Sequence, residues 1–168
     1  IDLVHTSILT AAGRRLSDPA IGIAEDMAMQ PNGVAIQCRL TTEDPLANFA
    51  PDTGEIIAYR PPAGFGIRLD EGQATAGGLV TPHYDSLLVK VTAWAPTMEQ
   101  AAAKMRRGLS EFRIRGIRHN IPLLRQIVEH PEYLASRVNT RFFEEHHEVF
   151  DIQRPRDRAT KMLRYSAD

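Results

Sequence analysis

A change of hydrophobic period at Pro96 divides this chain and limits the folds open to it. Before that point Val34, Ile36, Cys38 and Leu40 alternate with Ala35, Gln37 and Arg39, the two-residue period of a half-buried strand. Ile56–Arg60 and Leu87–Trp94 read as further strands, with turn compositions at Asp52-Thr53-Gly54 and Pro61-Pro62-Ala63-Gly64. After it, Thr97 and Gln100 make a capping box. Met98, Ala101, Ala102, Met105, Leu109 and Phe112 then share one helical stripe. A second helix opens near Asn120 and runs through Leu123, Leu124, Ile127 and Val128 to Pro131. Strands followed by helices predict an α+β domain, a mostly antiparallel sheet with its helices after it. Ahead of both, Asp2–Ala12 reads as an amphipathic helix ended by Gly13. Glu148–Pro155 reads as a linker and Arg156–Tyr165 as the start of another helix.

A length of 168 residues fits one domain. No apolar run reaches the eighteen or so residues of a membrane span, and no signal peptide is visible. Cys38, the one cysteine, sits on the apolar face of its strand and reads as a small core residue. The net charge of −1 hides an asymmetry, because Lys104–Arg118 holds six cations against the single acid Glu111. Such a patch suits phosphates, and equally suits a solvated helix face. The chain opens on Ile1-Asp2 inside an apolar periodicity, so it is expected to be cut from something longer.

Several catalytic signatures are missing. There is no phosphate-cradling glycine loop and no nucleophile elbow. Glu144-Glu145-His146-His147-Glu148 looks metal-like, yet adjacent histidines diverge on a helix and no HExxH spacing is present; it is read as a polar helix end, with no metal. Three segments remain. Arg39 closes its strand beside Thr41-Thr42-Glu43-Asp44-Pro45, where it meets an anion or pairs with Glu43 or Asp44. Gly64-Phe65-Gly66-Ile67-Arg68 offers either an interface anchor or a hairpin with a core phenylalanine. Asp85, in Thr81-Pro82-His83-Tyr84-Asp85-Ser86, either holds an arginine such as Arg39 in one rotamer or caps a turn.

Ala35-Ile36-Gln37-Cys38-Arg39 with Thr42-Glu43-Asp44-Pro45, then Gly64-Phe65-Gly66-Ile67-Arg68, then Tyr84-Asp85-Ser86-Leu87-Leu88-Val89-Lys90, resembles the C-terminal lobe of biotin carboxylase. Order and spacing match over nearly the whole chain. Phe112-Arg113-Ile114-Arg115-Gly116 and Arg156-Asp157-Arg158-Ala159-Thr160-Lys161-Met162-Leu163 resemble the pyruvate carboxylase branch, in which this lobe leads into a linker and allosteric region. Residues 1–150 are then the lobe and 151–168 the start of that region. Val34 departs from the pattern, since the family usually has histidine there.

The resemblance implies a fragment of a biotin-dependent carboxylase. In that family ATP and bicarbonate give carboxyphosphate, which breaks down to carbon dioxide and phosphate. Phosphate deprotonates the biotin ureido nitrogen, and the resulting enolate attacks carbon dioxide. By resemblance Arg39 stabilises the enolate oxygen and Asp85 supports the biotin end of the site. Phe65 and Arg68 match dimer-interface positions, and Arg113, Arg115 and Arg158 match contacts to the activator acetyl-CoA. The cofactor is biotin on a carrier domain elsewhere, and ATP and magnesium are held mainly by an upstream ATP-grasp core. The implied partners are that core, the biotin carboxyl carrier domain, acetyl-CoA and further copies of the chain, with no nucleic acid and no membrane. The implied compartment is the bacterial cytoplasm or the mitochondrial matrix. The chain alone is expected to catalyse nothing. Two alternatives stay open: the same lobe of an acetyl-CoA or propionyl-CoA carboxylase, and a non-catalytic module that dimerises or binds a nucleotide-like ligand.

Overall fold

The structure, a computed structural model, describes residues 1–24, 31–72 and 74–152. Two compact units divide it, Ile1–Asn32 and Gly33–Asp168. In the first, helix α1 (Leu3–Ala11) starts where the Asp2 side chain accepts from the His5 amide, the expected N-cap bond. It stops before Gly13, which takes the left-handed conformation with φ +86°.

The second unit is built on a three-stranded antiparallel sheet. Strand β1 (Val34–Thr41) pairs with β8 (Leu87–Ala95), and β8 pairs on its other side with β6 (Ile67–Glu71). Alternation along β1 decides which side is core: Ile36, Cys38 and Leu40 are buried, while Ala35, Gln37 and Arg39 are exposed. Their cross-strand partners Ala93, Val91 and Val89 are buried as well. Burial of the Cys38 thiol pushes its pKa up to about 12, so it stays protonated and unreactive. Between Leu40 and Thr41 the register slips. That bulge leaves Leu88 as an extra residue, and Leu88 and Val89 are both buried although neighbours on a regular strand face opposite ways.

Helix α2 (Met98–Glu111) covers the core face with Ala101, Ala102, Met105 and Leu109. Thr97 caps it through the Gln100 amide. Each of the larger side chains contributes about 1.5–3 kcal/mol by leaving water. Helix α3 (Ile121–Glu129) packs beside α2. The remaining strands are short pairs: β2 (Glu43–Asp44) with β3 (Ala50–Pro51), β4 (Gly54–Glu55) with β7 (Leu79–Val80), and β5 (Ala58–Arg60) with β9 (Arg113–Arg115). This is the expected α+β arrangement of antiparallel strands followed by helices.

Two boundaries differ from the sequence expectation. The strand foreseen over Ile56–Arg60 is regular only at Ala58–Arg60. Ile56 instead bonds through its backbone to Gly77 and Gly78 while Ile57 turns to Arg115, so the chain crosses there from one pair to the other. Packing also continues past Glu148: helices α4 (Pro131–Leu134) and α5 (Phe142–Glu145) lead to a turn of 3₁₀ helix at His147–Phe150, whose Val149 is buried against Leu123 and Phe142. The helix foreseen at Arg156–Tyr165 lies outside the described residues. Among the described residues no helix is long and apolar enough to cross a membrane.

Candidate functional site

The exposed face of the three-stranded sheet gathers the chemistry. Directly opposed residues of antiparallel strands share a face, so Arg39 on β1, Lys90 on β8 and Asp70 on β6 form one row. Gln37, Thr92 and Arg68 form the next. Arg39 therefore stands beside a second cation. Like charges placed so are mutually destabilising unless an anion sits between them.

The counterions are unevenly shared. Arg68 takes Asp70 through three bonds of 2.7 to 3.1 Å from Nε and Nη2, and this guanidinium holds the Asp70 carboxyl below its usual range. For Arg39 the nearest carboxylate is Asp85, whose Oδ2 lies 3.9 Å from Nη2, with both side chains more than half exposed. That is attraction without a hydrogen bond. Among the described residues the ion pair of Arg39 is with Asp85, while Glu43 and Asp44 are engaged elsewhere. Glu43 accepts from Ser86 Oγ at 2.8 Å and Thr41 Oγ1 at 3.2 Å, and Asp44 is held by Arg118. Asp85 also caps its own turn, its Oδ1 accepting from the Leu87 amide at 3.1 Å. The turn-capping option is thus observed, while toward Arg39 Asp85 offers a 3.9 Å approach between exposed side chains.

The outer edge of the Arg39 backbone is tied down by contacts the sequence hid. Strand β1 is an edge strand, and its free edge is covered by Asn120. The Asn120 amide donates to the Arg39 carbonyl at 3.0 Å, and its Oδ1 accepts from the Thr41 amide at 3.1 Å. The Asn120 side chain makes no cap bond to α3, which it was expected to open; it continues the ladder of β1. Nothing local betrays this, because the partners lie about eighty residues away in sequence.

Phe65 is fully exposed, which removes the core-phenylalanine alternative. Gly64 and Gly66 flank it with φ +122° and +73°. A Cβ on Gly66 would lie 2.6 Å from the Trp94 carbonyl oxygen, so only glycine lets this turn reach β8 and push Phe65 outward. Arg68 is exposed on the next strand.

The basic patch disperses in three dimensions. Lys104 donates to the Trp94 carbonyl, Arg107 pairs with Glu111 and Arg118 with Asp44. Arg113 and Arg115 lie on one exposed face of β9, since Ile114 between them is buried. Arg60 stands opposite Arg113. Arg113 lines a groove of about 550 Å³ with Arg60 and Arg107, and Arg115 lines one of about 610 Å³ with Arg118 and His119. Arg158 lies outside the described residues.

His119 carries a prediction. Its Nδ1 is buried without a partner among the described residues, and burial pushes its pKa below the ordinary 6.5. The folded chain therefore keeps this ring neutral while the unfolded chain takes up a proton below 6.5. Stability falls as pH drops through that value and stops falling below the folded pKa. His119→Leu should flatten the loss of stability between about pH 7 and 5, read by urea unfolding at both; an unchanged loss would contradict this.

The histidine-rich helix end does converge on something. His130 Nε2, His146 Nδ1 and a Glu148 oxygen lie within 4.8 Å of one another. His130 Nδ1, however, accepts from the Glu132 amide at 3.2 Å, which leaves the proton of the neutral ring on Nε2, facing Glu148 at 3.2 Å. That nitrogen donates and is poorly placed to ligate a metal. The cluster fits a hydrogen-bonded lock between the starts of α4 and the 3₁₀ turn. His147 takes no part in it.

The profile of the biotin carboxylase C-terminal domain matches residues 37–145. The pyruvate carboxylase of Bacillus subtilis is 50% identical over 98% of this chain and 14% of its own length. A structure of Rhizobium etli pyruvate carboxylase with the allosteric activator acetyl coenzyme A superposes with a TM-score of 0.88. It is 46% identical over 100% of this chain and 16% of that one. The biotin carboxylase domain dimer of Hydrogenobacter thermophilus 2-oxoglutarate carboxylase, in complex with MgADP, ADP and bicarbonate, gives 0.78 at 39% identity, covering 92% and 32%. The chain spans about one-seventh of the length of the curated relatives it matches. With the sheet, the glycine-flanked Phe65 and the Arg39 row all in place, the chain belongs to the biotin carboxylase C-terminal domain family and corresponds to that segment of the pyruvate carboxylases.

Proposed function

We propose that this chain supplies the biotin-facing arginine of a biotin carboxylase site within an intact pyruvate carboxylase. The observation that carries the proposal is the row formed by Arg39 and Lys90, two cations side by side whose nearest carboxylate for Arg39 stands at 3.9 Å. Biotin contributes a ureido group whose oxygen gains negative charge as its nitrogen loses a proton. Arg39 meets that oxygen with a guanidinium that stays charged at any working pH and donates in a planar fork. Because the Arg39 backbone is held by β8 on one edge and Asn120 on the other, little reorganisation is needed when the charge develops. Asp85 draws the guanidinium toward one rotamer without consuming its hydrogen bonds.

ATP, bicarbonate and magnesium are assigned to the ATP-grasp core. Glu43 and Asp44 are unsuited to magnesium, since Ser86, Thr41 and Arg118 already occupy their oxygens. Phe65, with Arg68 beside it, is assigned to contact with a second copy, since exposed aromatics and arginines favour such surfaces. Biotin arrives on its carrier domain.

The test is Arg39→Ala in the intact carboxylase. Biotin carboxylation should collapse while bicarbonate-dependent ATP cleavage largely survives, and normal biotin carboxylation would sink the proposal.

Acetyl-CoA is assigned to Arg113, Arg115 and Arg158. Arg113, with Arg60 opposite it, and Arg115 project from the exposed side of β9, and arginine forks suit the phosphates of a CoA nucleotide. Changing Arg113 and Arg115 together to Gln should raise the acetyl-CoA concentration for half-activation by at least about tenfold, the scale of one lost charge-assisted bond. Unchanged activation would return these residues to the solvated surface.

A further inference from the structure

We propose that Glu43 is a positioning residue that sets the geometry between Arg39 and Asp85; this rests on the assignment of Arg39 above. Arg39 and Asp85 approach each other from different segments. Arg39 is on β1, whereas Asp85 is in the loop that leads from β7 into β8. Their separation depends on what ties that loop to the end of β1.

Two bonds do so, next to each other. The Thr42 amide donates to the Ser86 carbonyl at 3.0 Å. The Ser86 hydroxyl donates to Glu43 Oε1 at 2.8 Å. Glu43 Oε2 accepts from the Thr41 hydroxyl at 3.2 Å, which fixes the rotamer that reaches Ser86. The tie lies beside the register slip after Leu40, where the regular β1–β8 ladder has just been interrupted. Glu43 therefore spans a place where backbone pairing is weakest and the active row is two rungs away.

The chemistry of Glu43 is unusual for a half-buried carboxylate. It makes no ion pair among the described residues, and both oxygens accept hydrogen bonds from neutral hydroxyls. Both are charge-assisted bonds that stabilise the join, and together they leave the carboxylate one orientation. They also supply direction: Ser86 is held at the junction of β1 and β2, and Asp85, its neighbour, is kept near the guanidinium. Without the tie the loop relaxes and Arg39 samples rotamers that miss the ureido oxygen.

The experiment compares Glu43→Ala, Glu43→Gln, Ser86→Ala and the Glu43→Ala/Ser86→Ala double variant in the intact carboxylase, with free biotin as substrate. The readout is biotin carboxylated per ATP cleaved, with kcat and KM for biotin. Glu43→Ala and Ser86→Ala should each lower kcat for biotin carboxylation on the order of tenfold, the scale of a misplaced catalytic group. KM for biotin should move little. The double variant should be no worse than either single one, because one bond is removed in all three. Glu43→Gln should recover most of the activity, since its amide oxygen accepts from Ser86 and its nitrogen donates to Thr41.

Additive losses, a silent Ser86→Ala, or a Glu43→Gln as impaired as Glu43→Ala would each overturn the proposal. Arg39→Ala in the same assay separates the two claims. If it leaves biotin carboxylation intact, the assignment of Arg39 falls and this proposal with it. If it abolishes carboxylation while Glu43→Ala does nothing, only the role of Glu43 falls.

Discussion

Replacing Arg39 with alanine in the intact carboxylase is expected to slow biotin carboxylation by two to three orders of magnitude, about 3–4 kcal/mol of lost transition-state stabilisation, the usual cost of deleting one oxyanion donor. The loss is at the upper end because the arginine is held on a sheet and, in the proposed role, meets a charge that exists only as the reaction proceeds. Lys90, its cross-strand neighbour, limits the loss by leaving one cation in the row. Arg39→Lys should recover only part of the rate, because an ammonium keeps the charge and loses the fork. A variant with equal loss of ATP cleavage and biotin carboxylation would indicate collapse of the domain instead.

The second large effect is on stability. Gly116 follows β9 with φ +100°. A Cβ placed there would strike the Glu55 carbonyl oxygen and lie 2.9 Å from the Ile57 nitrogen. Both are backbone atoms, and the Ile57 amide is already donating to the Arg115 carbonyl, so neither can swing aside as a side chain would. Gly116→Ala should cost about 3–5 kcal/mol, combining left-handed strain with overpacking. For a chain of this size that lowers the melting temperature on the order of 10 °C. Gly77→Ala is the control: Gly77 has φ +81° and nothing within 4 Å of its Cβ position, so it isolates the conformational cost of about 1 kcal/mol. Equal losses in the two variants would contradict the steric account. Under the proposed assignment of Arg113 and Arg115 to acetyl-CoA, the damage at Gly116 should extend to that activation, because the same turn fixes their strand.

How much of this was legible beforehand follows from the range of each interaction. The alternation of Val34–Leu40 and the stripe on α2 are local, and both appear where the sequence put them. Phe65 was ambiguous because Gly64 and Gly66 permit either direction; only the close approach of Gly66 to Trp94 decides it. The Arg39–Lys90–Asp70 row required the register of three strands, which no single segment specifies. Asn120 and the Glu43–Ser86 tie were invisible for the same reason, since each joins segments more than forty residues apart. Glu43 was even a named alternative partner for Arg39, and the structure turns it the other way, toward a hydroxyl. Resemblance supplied the expected role of Arg39, and the fold adds that its nearest carboxylate stands 3.9 Å away without a hydrogen bond.

The central claim is tested most directly by a crystal structure of the intact biotin carboxylase domain with biotin bound. The ureido oxygen should lie about 2.7–3.1 Å from the Arg39 guanidinium, the distance of a working oxyanion donor. A ureido oxygen held by other groups, with Arg39 turned away to solvent or paired closely with Asp85, would contradict the account.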